Sequence, residues 1–309
     1  MNHQANSLTK LSNNTKVVII HNKIIYLITI FRMTHKDANL MKNKQLGFYL
    51  IPLLAIISNL CYAQNNLFVG IGVQNFSLIE KDLYTGIQLV KEQGNIPTII
   101  YGLDWPINPK LHFQAQVQQS YGVMPYDGQT QSGIPHQSET THFLSQGMAA
   151  IGFLPIKQSE VYIGLHAQEN IRNVANKNNV YGATETYDEL FAKIGLRQQL
   201  LATPKQKLFL WGELYAPLYA QSFVDARTSD DVILELSKGK AKAWGFDYFY
   251  RYNQKTDWFI KGVSFTHHYQ QSSIASKTFY GQATGSYLYQ PPIFFKQQSL
   301  YAGLAWHFD

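Results

Sequence analysis

Along residues 64–309, apolar and polar side chains alternate with a period of two in stretches of roughly ten residues, and no useful length repeats with the helical period. In Leu111-His112-Phe113-Gln114-Ala115-Gln116-Val117-Gln118 every second residue is apolar and the others are Gln or His. Successive side chains of a strand point to opposite faces, so one face of this strand meets an apolar medium and the other a hydrated one. The same alternation separates Leu67, Val69, Ile71 and Val73 from Phe68, Gly70, Gly72 and Gln74. It recurs at 161–168, 190–197, 244–251 and 300–308. A strand of about ten residues is long enough to cross a bilayer at a tilt. Glycines on the second face suit the crowded interior of a small barrel.

The connections support the same reading. Four are short and turn-like: Ile107-Asn108-Pro109-Lys110, residues 155–160, Thr203-Pro204-Lys205-Gln206 and Asn253-Gln254-Lys255-Thr256. Five are long and polar, at about 77–96, 122–141, 170–187, 220–241 and 269–297. Short and long connections alternate strictly. The pattern predicts an all-β fold, an up-and-down antiparallel transmembrane β-barrel of about ten strands. Their ranges are 66–76, 97–106, 111–121, 142–154, 160–169, 188–201, 207–219, 242–252, 257–268 and 298–308. Both termini then lie at the short-turn end. Eight and twelve are the neighbouring counts, because 142–154 is ambiguous in facing and the last loop has room for a further hairpin.

Composition changes the picture at the amino terminus. The net charge of +6 suggests nucleic acid until its position is traced. Seven of the 26 basic residues and one of the 20 acidic ones lie in residues 1–63, which leaves 19 of each in the remainder. That removes the electrostatic basis for phosphate-backbone binding, and no nucleic-acid partner is expected. The basic segment reads as a leader. Met41-Lys42-Asn43-Lys44 is a short cationic region, Leu46–Leu60 is apolar, and Cys61-Tyr62-Ala63 presents small residues for cleavage before Gln64. Residues 1–40 read as a start assigned too early or an extended leader, 41–63 as a signal peptide, and 64–309 as the barrel. The single cysteine, Cys61, falls in the leader, so the mature chain has no disulfide and no thiolate chemistry.

These features together resemble Gram-negative bacterial outer-membrane β-barrel proteins over essentially all of residues 41–309. The final strand carries the resemblance furthest. Leu300-Tyr301-Ala302-Gly303-Leu304-Ala305-Trp306-His307-Phe308 alternates and ends on an aromatic, although Asp309 makes that aromatic penultimate. The resemblance implies export to the outer membrane, contact with outer-membrane lipid and lipopolysaccharide, and recognition by the barrel-assembly machinery through Trp306 and Phe308. It implies short turns facing the periplasm and long loops facing outward. It carries over no active site.

The polar residues on the second face form the candidate site. Asp104, His112, His166, Lys193, Arg197, Glu213, Asp247, Arg251 and His307 are predicted to line the lumen, either as a narrow polar pore or as a paired plug. No metal site or cofactor is expected. The adjacent pair His267-His268 points to opposite faces of its strand and cannot chelate. Omptin proteases pair Asp-x-Asp with Asp-x-His near the outer rim, and neither motif occurs here; Asp230-Asp231 reads as a loop turn. Lipid A-modifying barrels use a rim His and Ser. Here Ser264 and His267 have opposite facing, while Ser264 and His268 share a face roughly 13 Å apart. No catalytic residue is assigned. The functional expectation is a non-enzymatic outer-membrane barrel with a structural or adhesin-like surface-binding role. Its contact surface is five loops rich in Tyr and small polar residues, which would hold any extracellular ligand. The alternatives are a narrow pore for small polar solutes and an outer-rim enzyme that hydrolyses lipid or peptide.

Overall fold

The alternating segments pair edge to edge and close on themselves in the computed structural model, which describes residues 65–308 except 130–132, 157, 179, 181, 226–231, 237–238, 271–274, 280–281 and 289. The leader expectations for residues 1–63, and Asp230-Asp231 and Asp309, lie outside the described residues. The strands are β1 (Asn65–Lys81), β2 (Gln88–Asn108), β3 (Leu111–Gln129), β4 (Pro135–Ile156), β5 (Ser159–Val174), β6 (Thr184–Ala202), β7 (Gln206–Asp225), β8 (Val232–Glu235), β9 (Lys240–Asn253), β10 (Thr256–Tyr269), β11 (Ala275–Phe279), β12 (Gln282–Leu288) and β13 (Ile293–Phe308). Ten of them are staves, in the order β1-β2-β3-β4-β5-β6-β7-β9-β10-β13. β13 returns to β1 in an unbroken antiparallel register from Asn65↔Phe308 to Glu80↔Ile293. β8 pairs with the far end of β7, and β11 pairs with β12 in a separate hairpin within the last connection. That hairpin adds nothing to the wall, so the stave count is ten.

The outward rows explain why the sheet closes in an apolar medium. Ile71 is 71% exposed and Ile163 62%, in line with Val69, Val73, Leu165, Ile194, Leu196 and Leu300 on neighbouring staves. A continuous apolar belt of this kind marks a membrane-facing surface. Phe153, Tyr250, Tyr252 and Trp258 are exposed at the short-turn end, as in an interfacial aromatic girdle. Inside, residues without a side chain make room for bulky neighbours. A Cβ at Gly152 would collide with His112 and Glu160, and one at Gly195 with the Tyr162 ring.

The staves are 14–22 residues long, well beyond the roughly ten needed to cross a bilayer. The predicted long connections at 77–96, 122–141 and 170–187 are therefore mostly paired strand, and the links that remain there are residues 82–87, 130–134 and 175–183. The polarity inverts where the staves leave the apolar belt. Above the Asn75–Asn95 side-chain hydrogen bond, most outward positions on β1, β2 and β13 become polar, with Ile79 and Phe294 among the exceptions. Inward positions become apolar: Phe76, Leu78, Val90, Ile96, Met124, Leu144, Tyr187, Ile293 and Phe295 are all buried. A period-two reading of fixed phase sees this reversal as the end of a strand.

Candidate functional site: the barrel interior

The nine predicted lumen residues all point inward, on β2, β3, β5, β6, β7, β9 and β13. The structure sorts them into a connected charge network near the turn end. His112 Nε2 lies 2.6 Å from Glu160 Oε1, and its Nδ1 is 4.0 Å from Asp104. Arg197 donates to Asp247 at 2.8 Å and reaches Glu160 at 3.8 Å. Lys193 donates to Glu213 at 2.6 Å, and the Tyr215 hydroxyl donates to the same carboxylate. Arg251 and His307 share Asp257, at 3.1 and 2.9 Å. Lys261 adds a cation 3.8 Å from Asp247. His166 stands apart, boxed by the rings of Phe191, Tyr215 and Phe265 at 5.3–6.0 Å. These groups surround a cavity of about 210 Å³ bounded by residues including Asn66, Gln114, Gln116, Asp257 and His307, toward the turn end.

Midway along the axis the cavity ends in a layer of amides and hydroxyls, most of whose hydrogen bonds bridge non-adjacent staves. Gln118 and Ser120 on β3 both donate to Gln74 on β1, at 2.9 and 2.7 Å. Gln146 on β4 donates to Gln297 on β13 at 2.5 Å and to Gln168 on β5 at 2.5 Å. Gln74 is fully buried, and Ser120, Gln168 and Gln297 are nearly so. A ten-strand barrel is narrow enough for side chains from opposite walls to meet.

The loop-end half holds a second ionic cluster that the sequence reading did not include. Arg172, 2% exposed, donates to Glu92 at 2.8 Å, to Glu80 at 2.9 Å and to Glu185 at 2.5 Å. His142 Nε2 lies 2.5 Å from the other Glu92 oxygen, Thr140 donates to Glu92 at 3.2 Å, and the Tyr187 hydroxyl donates to Glu185 at 2.6 Å. Burial pushes the Glu80 carboxyl up to about 7, because Arg172 opposes this only in part and Glu185 and Glu92 add to it. Burial acts upward on Glu92 as well, but the charge of Arg172 and the contact with His142 outweigh it and hold the carboxyl down at about 2. Glu80, Glu92, Arg172 and Glu185 sit in segments that read as loops, and His142 lies at the edge of the strand of ambiguous facing. The available signal was parity, since Phe76, Leu78 and Glu80 continue the inward row that Gln74 belongs to.

Among the described residues the interior contains four close His–carboxylate pairs: His112–Glu160, His307–Asp257, His142–Glu92 and His267–Glu189. The last two are buried beneath aromatic rings, with His267 stacked on Phe295 at 4.4 Å. Ser264 turns outward beside Trp244 and Gln298 in register, away from His267. Among the described residues no three His, Cys, Asp or Glu side chains converge as metal ligands.

This architecture is that of the outer-membrane β-barrels. The outer-membrane protease OmpT of Escherichia coli matches over 79% of this chain and 97% of its own, with 11% identity and a TM-score of 0.55. The translocator domain of the autotransporter NalP from Neisseria meningitidis aligns over 84% of this chain and 94% of its own, at 8% identity and a TM-score of 0.41. The toluene transporter TodX of Pseudomonas putida aligns over 82% and 93%, at 9% identity and a TM-score of 0.31. At these identities the likeness is one of fold. No protein-family model and no curated protein matches the chain.

Proposed function

We propose that the protein is an outer-membrane barrel with a sealed lumen that acts through its outward-projecting wall and loops as a structural or surface-binding element. The observation that carries this reading is the buried layer of Gln74, Ser120, Gln168 and Gln297, continued toward the loop end by the apolar cluster and the Arg172 quartet. Side chains of opposite staves are bonded to one another there, which opposes the passage of solutes. The charged cavity near the turn end is then a vestibule that opens to the periplasm only. In this reading the mature chain begins at Gln64 after export, and N-terminal sequencing of the membrane-extracted protein starts there. The wall extends beyond the bilayer on the loop side and presents rigid strand, with the shorter links at its rim, as the contact surface. A planar-bilayer recording of the purified barrel tests the sealed lumen. The expected result is insertion without steady conductance; a stable, ion-selective conductance would establish the pore instead.

A further inference from the structure

The outer wall carries a cationic patch just beyond the loop-side edge of the apolar belt. Lys240 on β9, His268 on β10, Phe294 on β13, Ile79 on β1 and Lys91 on β2 are successive register partners. All five point outward. Two residues nearer the apolar belt, Lys242 and Lys296 flank Thr266 in the same way. Lys81 follows Ile79 on the same face of β1. The five lysines are exposed, and none has an ion-pair partner among the described residues. Asp127, the partner of Lys91 at one end, is the carboxylate in register with the row, while Glu80 and Glu92 of the same strands point inward. Phe294 anchors the centre, stacked on His268 at 5.6 Å and covered by Lys81 Nζ at 5.2 Å from its centroid. Below the lysines come Ser264, Gln298 and Asn75, and below those Leu300, Val73 and Phe246 of the apolar belt.

We infer that this face binds a lipid headgroup bearing more than one phosphate, with its acyl chains lying along the Leu300–Val73 wall. The inference rests on the reading that the barrel crosses the outer membrane with its loop end outward. Adjacent strands are about 4.8 Å apart, so Lys242 and Lys296 stand roughly 10 Å apart and the Lys240–Lys91 row spans roughly 19 Å. One small anion cannot neutralise lysines spread so widely, whereas a polyphosphorylated headgroup anchored by its chains can. An uncompensated cluster of lysines at this height is attractive to such a headgroup and costly without one.

The test is titration calorimetry of the full mature chain in neutral detergent against purified lipopolysaccharide. Replacing Lys242 and Lys296 by Gln should weaken binding about fivefold each, the equivalent of about 1 kcal/mol per lysine near a charged surface. Raising the ionic strength should weaken the parent's binding and shift the double variant less. Lys110→Gln with Lys255→Gln, at the turn end, should leave affinity unchanged. An unchanged affinity for the Lys242/Lys296 variant, or an equal loss in the turn-end control, overturns the patch. Displacement of the lipid by inorganic phosphate at comparable concentration overturns the assignment to a lipid. Orientation is read separately from Tyr84→Cys, which an impermeant maleimide should label on intact cells. Labelling only after permeabilisation overturns the orientation and the proposal with it, whereas surface labelling with unchanged affinity overturns the patch alone.

Discussion

Replacing Arg172 by Met should damage the loop-end half of the barrel more than any surface substitution. The guanidinium is 2% exposed and holds Glu80, Glu92 and Glu185 at 2.5–2.9 Å. Methionine keeps the apolar volume and removes the charge, so the loss isolates the electrostatic role. Removing one partner from a buried ionic cluster typically costs about 3–5 kcal/mol, because the charges left behind have neither water nor a counter-ion. The pH dependence has a definite sign. Glu80, raised to about 7 from 4.5, contributes stability that is full below pH 4.5 and lost as pH rises through 7. Glu92, lowered to about 2, contributes stability present above pH 4.5 and lost as pH falls through 2. In the variant Glu92 loses its main stabilising charge and its carboxyl moves upward. The penalty should therefore be large at about pH 8 and clearly smaller at about pH 5, where protonation relieves the repulsion. Urea unfolding in lipid vesicles, followed by tryptophan fluorescence at both pH values, measures it. A loss under about 1 kcal/mol, or an equal loss at the two pH values, would refute the claim that this quartet is buried and charged.

Facing and closure give two further tests. Val117→Arg should cost roughly 2–4 kcal/mol by placing a cation on the lipid side, while Gln116→Arg, whose side chain lies 3.4 Å from Lys261 Nζ in the vestibule, should be milder; equal costs in reversible folding would mean the two faces are misassigned. Phe308→Ser should lower the yield of the heat-modifiable folded band, since Phe308 pairs with Asn65 at the closing seam and an open edge leaves backbone groups unpaired in hydrocarbon; normal yields from a variant lacking residues 300–309 would contradict closure through β13.

Most of the barrel was legible because its signal is local. Within the membrane belt each stave repeats apolar-out and polar-in, as at Leu111–Gln118, and the two- or three-residue turns at 109–110, 203–205 and 254–255 punctuate it. The candidate charges on β6 and β9 followed from the same phase, which is why Lys193, Arg197 and Asp247 fall on the inner face. Their partners were harder to see. Glu160 and Asp257 sit one or two residues from turns, where alternation has barely begun, and their pairings join staves up to 50 residues apart. The loop-end half was missed for a different reason. Its solvent reverses: water lies outside and packed side chains inside, so Phe76 and Leu78 occupy the row that carries Gln74 below them. No window of the sequence marks where the bilayer ends, and Arg172 meets Glu80 across 92 residues and the width of the lumen.

The central claim is that the lumen is open toward the turn end and closed toward the loop end. Residues 64–309 contain no cysteine, so single introduced thiols report accessibility without background. Gln114→Cys places a thiol on the vestibule wall, and Thr140→Cys places one in the fully buried loop-end half. Both can be challenged in oriented vesicles with an impermeant thiol reagent added to either side. The account predicts that the Gln114 variant reacts from the turn end alone and the Thr140 variant from neither. Reaction of the Gln114 variant from the loop end, or of the Thr140 variant at a comparable rate from either side, would show a continuous aqueous path and contradict it.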